Sequence, residues 1–230
     1  MATLKLASPQ VPVNSSFLEG LAPQELDAVL AAASKRRYRA GAVVAYQGTP
    51  ADCFFMLLKG RARFSILTQE GKRILLMWLP EGEVFGVAAM PSRPYNYIVN
   101  TEVVRDSTIL VWDKATIRRL ARRYPQLMEN LIDTSIQYLT FYATTHVALS
   151  SHTASQRVAR ILLHLAEGIG QPVSRGVELD ITNEELAQAA NVTQFTASRL
   201  LSEWQRKHAL IKTRGKIILR SPAKLSLKAA

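Results

Sequence analysis

Cysteine is nearly absent from this chain: Cys53 stands alone in 230 residues. A single thiol excludes an intramolecular disulfide and any metal cluster held by the cysteines of one chain. Long apolar runs are missing as well, so no segment should cross a membrane as a helix. The opening Met1-Ala-Thr-Leu-Lys-Leu lacks the charged-then-apolar order of a secretory signal, and a cytoplasmic location is expected. The sequence has no glycine-rich phosphate loop, His/Glu metal pair or nucleophile elbow. That argues against an enzyme and leaves no metal site to propose. Acidic residues are scarce: 18 Asp and Glu face 29 Lys and Arg, a net charge of +11. Such a surplus implies an anionic partner.

The charge is unevenly placed. Between Arg199 and Lys228 nine Lys and Arg are opposed by Glu203 alone. Either this is a solvated basic tail or it lies on structure that meets a polyanion, and the local pattern decides. Thr182-Asn-Glu-Glu-Leu-Ala-Gln-Ala-Ala190 opens with a threonine cap and Glu185 three residues on, a capping box. Asn191-Val-Thr forms a turn, and Gln194–Arg206 a second helix with Ala197, Leu200, Leu201 and Trp204 inward. Two short helices crossing at such a turn place the second in a major groove. Ala209–Leu219 then reads as a β-hairpin with Arg214-Gly-Lys216 at its tip, a basic wing suited to phosphates.

Upstream the pattern differs. Residues 1–16 mix Pro, Ser and Asn and should form a loose arm, and Phe17–Ser34 shows helical spacing at Leu26, Val29 and Leu30, with Pro23 suited to a first helical turn. Glycines at 41, 48, 60, 71 and 82 then punctuate short apolar segments, as in a small all-β sandwich or barrel. Ala62, Phe64 and Ile66 alternate onto one face; Gln69–Lys72 is a hairpin turn; further strands fall near Arg73–Leu79, Tyr97–Val104 and Thr108–Trp112. Asp113 is an N-cap, and Pro125 marks the start of a long helix to about Ser150. Along it Met128, Ile132, Ser135, Leu139, Tyr142, His146 and Leu149 recur in steps of four and three. This heptad seam suits a helix pair across a two-fold axis, or a helix packed on its own barrel. A second helix over Ala154–Glu167, a loop over Gly168–Gly176 and a strand over Val177–Ile181 lead into the capping box.

These segments together resemble the CRP/FNR family of bacterial transcription regulators. Tyr46–Gly60, Pro80–Gly86, the long helix, Arg157–Ala166 and Ile181–Gly215 carry the resemblance. It implies an α+β fold in three parts. Residues 1–124 are an antiparallel, jelly-roll-like β-roll sensor similar to a cyclic nucleotide-binding domain; residues 125–150 are a dimerisation helix; residues 151–230 are a winged helix-turn-helix. It also implies a homodimer on double-stranded, palindromic DNA, with RNA polymerase as a further partner through the Gly168–Gly176 loop. The interface would comprise Thr193, Gln194, Phe195, Thr196, Ser198, Arg199, Arg214 and Lys216. The family's Ser-Arg pair falls on Ser198 and Arg199, whose guanidinium can donate twice to guanine O6 and N7. A glutamate common three residues before that serine is here Phe195, which could touch a thymine methyl; Gln194 could pair with adenine or hold a phosphate.

The sensor departs further from the family pattern. Cyclic-nucleotide binders follow Phe-Gly with a ribose-holding Glu and then an Arg-Ser pair for the phosphate. Here Phe85-Gly86 is followed by Val87, and the second region reads Tyr95-Asn-Tyr-Ile98. Losing charge-assisted phosphate bonds argues against cyclic AMP. One cysteine argues against an iron–sulfur cluster. Haem lacks support, because His146, His152, His164 and His208 lie at or beyond the long helix. Cys53 reads as core packing rather than a ligand or redox switch, and His146 as an interface residue. Val87, Tyr97, Ile98, Tyr138, Phe141 and Tyr142 could wall a small-molecule effector pocket, or the last three could simply pack helix on barrel. The expected function is a regulator answering an effector other than cyclic AMP. A constitutive regulator with a filled pocket and a signalling module without DNA binding are the alternatives.

Overall fold

Cys53-Phe-Phe-Met-Leu-Leu-Lys59 is apolar without alternation, the mark of a strand covered on both faces. The computed structural model, which describes residues 15–225 except 72 and 214, places it at the centre of such a layer. The chain passes through a 3-10 turn (Ser16–Leu18), α1 (Pro23–Ala31), β1 (Ser34–Tyr38), β2 (Val43–Ala45), β3 (Cys53–Lys59) and β4 (Ala62–Leu67). It continues through β5 (Arg73–Leu79), β6 (Val84–Phe85), a 3-10 turn (Val87–Ala89), β7 (Asn100–Val103) and β8 (Ser107–Asp113). Then come α2 (Lys114–Arg123), α3 (Gln126–Ser151), α4 (Ala154–Gly168), β9 (Gln171–Val173) and β10 (Gly176–Asp180). Last are α5 (Asn183–Ala189), α6 (Gln194–Arg206), β11 (Leu210–Thr213), β12 (Lys216–Leu219) and a 3-10 turn (Pro222–Lys224).

One compact unit holds the residues up to Ile66 together with Leu79–Tyr138. Its strands run in the orders β1-β8-β3-β6 and β2-β7-β4. Period two sends Phe54 and Met56 of β3 to one face and Phe55 and Leu57 to the other, and all four are buried. On the first face Phe54, Phe17 and Trp112 form an aromatic cluster with ring centroids 4.9–6.4 Å apart. The Trp112 indole donates to the Val29 carbonyl at 2.9 Å, so α1 is tied to β8. On the second face Phe55 stacks on Phe85 at 4.8 Å, and Phe64 meets Phe85 and Tyr138 edge-on.

Of the segment read as helical over Phe17–Ser34, α1 starts at Pro23, the residue suited to a first helical turn; Gly20, at φ +76°, separates it from the 3-10 turn, and Ser34 already belongs to β1. The strand expected from Tyr97 starts at Asn100, because Tyr97 exchanges backbone hydrogen bonds with Gly48 and Thr49 instead. The Gly168–Gly176 loop contains β9, paired with β10. Pro172 is tolerated there because β9 is the edge strand. Of the loose arm expected over residues 1–16, residues 1–14 lie outside the described residues, as does Lys72 of the hairpin turn, while Ser15 is buried with its hydroxyl donating to the Gly82 carbonyl at 3.1 Å and Ser16 opens the first 3-10 turn.

The other unit comprises Leu67–Trp78 and everything from Leu139. Its sheet runs β11-β12-β10-β9, and its core gathers α4, α5 and α6 around Val158, Leu162, Leu186, Leu201 and Trp204. Leu75 and Trp78 of β5 join that core.

Candidate nucleic-acid interface

The interface starts from two helix caps. Thr182 and Glu185 form the expected reciprocal box: the Thr182 hydroxyl accepts from Glu185 N–H at 3.2 Å, and the Glu185 carboxylate from Thr182 N–H at 3.0 Å. At the second helix the Thr193 hydroxyl accepts from Thr196 N–H at 3.1 Å and bonds the Thr196 hydroxyl at 2.9 Å. Both threonines of the expected contact set are thus engaged in fixing where α6 begins. Between the helices the chain turns at Asn191, whose φ of +48° asparagine tolerates better than most residues. Val192 N–H then returns to the Ala187 carbonyl at 2.9 Å.

A residue given no role by the sequence pattern holds this turn. Arg157 on α4 donates Nε to the Ala190 carbonyl at 2.9 Å and Nη2 to the Asn191 carbonyl at 3.1 Å. Its Nη1 donates to the His152 carbonyl at 2.8 Å. One planar fork therefore ties the end of α5 to the α3–α4 junction, a geometry lysine cannot supply. No local signal marks such a residue, since its partners are carbonyls up to 34 positions away.

Helix α6 buries Ala197, Leu200, Leu201 and Trp204 and turns Gln194, Phe195 and Arg199 outward. Ser198 is half-buried on the same side, and Phe195 is 78% exposed. Arg199 makes no hydrogen bond or ion pair among the described residues, so its guanidinium is available to a partner. Lys207 instead pairs with Glu203 at 2.7 Å, which holds that carboxyl below its ordinary value. The wing is less free than its composition suggests. Lys216 Nζ lies 2.6 Å from Glu178 on β10, and that hydrogen bond pushes the lysine above its ordinary value. Arg214 lies outside the described residues.

Of the expected effector residues, Val87 packs against the core of its unit. Tyr97 donates its hydroxyl to the Cys53 carbonyl at 2.9 Å and accepts from Cys53 N–H at 3.0 Å. Burial raises both the tyrosine and the half-buried Cys53 thiol above their ordinary values. Ile98 is 76% exposed and walls no interior. Tyr138 donates to Glu83 Oε2 at 2.9 Å, and burial raises that carboxyl. In the other unit, Phe141 lies on the His164 ring at 4.8 Å and lines a cavity of about 50 Å³ with Thr145, Arg160 and Ile161. Tyr142 is half-buried with its hydroxyl 3.9 Å from Met77 Sδ, so it does not share the solvent-exposed face of α3 assigned to the seam.

That face follows a different step. Met128, Ile132, Ile136, Leu139 and Val147 are all 41–68% exposed, with Ala143 exposed between the last two. Steps of four, four and three give a period near the natural turn of a straight helix. Ser135 and His146 lie beside this stripe, both exposed, and Leu149 is 41% exposed. Among the described residues, no helix is long and apolar enough to cross a membrane, and no three His, Cys, Asp or Glu cluster as metal ligands.

Comparison with known proteins matches residues 35–124 to the cyclic nucleotide-binding domain and residues 156–227 to the Crp-like helix-turn-helix domain. The chain is 29% identical to a cyclic AMP receptor protein of Thermus thermophilus, over 82% of this chain and 84% of that one. It is 25% identical to a global nitrogen regulator of Synechocystis, over 79% and 82%. In fold it is similar to FixK2 from Bradyrhizobium japonicum, with a TM-score of 0.75 at 22% identity, covering 86% of this chain and 98% of the other.

Proposed function

Because this chain belongs to the CRP/FNR family of transcription regulators and carries its DNA-binding helix-turn-helix, we propose that it acts as a homodimer on a two-fold-related operator. The observation that carries this is the outward face of α6, where Arg199 is unpaired beside Gln194 and Phe195 on a helix capped and cored from behind. Arg199 donates to guanine, and the cations of the wing hold phosphates. The exposed apolar stripe of α3 supports a second copy as its partner, since so long a row of large apolar side chains is uncommon on a monomer. The β9–β10 hairpin, with Gln171, Pro172 and Val173 exposed, is the surface offered to RNA polymerase. A duplex-binding titration tests the function. Sequence-dependent binding that weakens steeply with salt is the expected result, and no retardation of any duplex overturns it.

The sensor answers something other than cyclic AMP. Val87 follows Phe85-Gly86 where nucleotide binders of the family carry the ribose glutamate, Tyr95–Ile98 fills the region of their Arg-Ser pair, and the Tyr97 hydroxyl is already committed to the Cys53 backbone. Calorimetry with cyclic AMP should show no heat and leave DNA affinity unchanged. A second reading has its own support: Phe55, Phe64, Phe85 and Tyr138 form a continuous aromatic cluster, as in a regulator whose sensor is filled by its own side chains. Full DNA affinity in protein stripped of small molecules by refolding would favour that reading.

A further inference from the structure

We propose that Phe195 is a specificity-determining residue that reads thymine through its 5-methyl group; this rests on the DNA-binding reading above and extends it to the kind of base read. At 78%, Phe195 is the most exposed large apolar side chain among the described residues. It makes no ring contact there. A phenyl ring held in water forgoes the free energy of burial, and here the helix that carries it is fixed. The Thr193 cap fixes the start of α6, and the buried Ala197, Leu200 and Leu201 fix its inner face. Its neighbours on the outer face are Gln194, Ser198 and Arg199, and α6 shows no other large exposed apolar residue. An apolar protein partner would need a patch, whereas a single ring among polar side chains suits a groove that is polar except at isolated methyls.

In the major groove that methyl belongs to thymine. Cytosine offers an N4 amino donor instead, and a phenyl ring would desolvate it without accepting its hydrogen. Position adds a constraint. Four residues of helix separate Phe195 from Arg199, about 6 Å of rise, or roughly two base-pair steps of about 3.4 Å. The thymine should therefore fall within about three base pairs of the guanine read by Arg199.

The test begins with selection of a binding site from random duplexes by the full-length chain. Affinity is then measured for the selected duplex and for versions with deoxyuridine at each thymine, which removes only the methyl. Uracil at the read position should weaken binding about fourfold in one half-site and about fifteenfold in both, the effect of one lost methyl contact each. Phe195→Ala should bind thymine and uracil operators alike, and Phe195→Glu should shift the preference to cytosine. Both variants should melt with the wild type, because the side chain is outside the core. A selected half-site without thymine near its guanine overturns the proposal. So does indifference to uracil, or discrimination that survives Phe195→Ala. Selection of no sequence at all strikes the DNA-binding reading itself, so the two failures are distinguishable.

Discussion

Arg157 shows how much one side chain can hold at the residue scale. Its guanidinium satisfies three carbonyls, two of them at the turn that aims α6. Arg157→Ala should destabilise the protein by about 2–4 kcal/mol, since each charge-assisted bond contributes about 1.5–3 kcal/mol and water recovers part of the loss. Arg157→Lys should recover little, and chemical denaturation of the three proteins checks the order. His164 gives a pH dependence. Burial holds its imidazole below the usual value of 6.5, with Arg160 adding to that and Glu167 opposing it. The unfolded chain therefore binds the proton more readily, and stability should fall as pH drops below about 6.5. Melting temperatures between about pH 5 and 8 should show a steeper acid loss in wild type than in His164→Gln.

At the scale of single elements, caps and faces are decided by different information. The caps at Thr182 and Asp113 were legible because cap and partner lie three residues apart. The α3 stripe was only partly legible. A heptad count places Tyr142 on the seam and omits Ile136 and Val147, since step-counting cannot tell which apolar residues meet their own chain. Tyr142 finds Met77, 65 positions away, while Ile136 is left 55% exposed. Charge in the middle of that stripe should separate the two copies of the proposed homodimer. Ile136→Glu with Leu139→Lys should sediment as monomer, and Ser135→Lys, beside the stripe, should change assembly far less.

For the whole molecule, the dominant fact is the concentration of cations in the C-terminal part, and pairing decides which of them count. Binding should weaken with salt at a slope of about −0.9 per phosphate neutralised. Arg199→Ala should reduce that slope more than Lys216→Ala, because Lys216 already has Glu178 at 2.6 Å. Glu178→Gln should free that lysine and tighten binding at low salt, which anisotropy titrations would register. The Phe85-Gly86 junction illustrates the same dependence on long-range packing. A Cβ on Gly86, at φ +78°, would lie 2.7 Å from the Cys53 carbonyl and 2.9 Å from the Phe55 ring, so only glycine fits where β6 leaves β3.

The amino-acid sequence by itself determined the order of the parts: a β-rich segment, a long helix, a capped helix pair and a basic hairpin. Each is written in contacts between residues a few positions apart, through turn glycines, caps and apolar periodicity. Tertiary structure alone decided which polar and aromatic groups remain available. Tyr97 is spent on Cys53, Lys216 on Glu178 and Arg157 on the turn, while Arg199 and Phe195 are left facing outward. Those outcomes depend on partners 33 to 44 residues distant, or, for Arg199 and Phe195, on having no hydrogen bond, ion pair or ring contact among the described residues, and local periodicity carries no record of such separations.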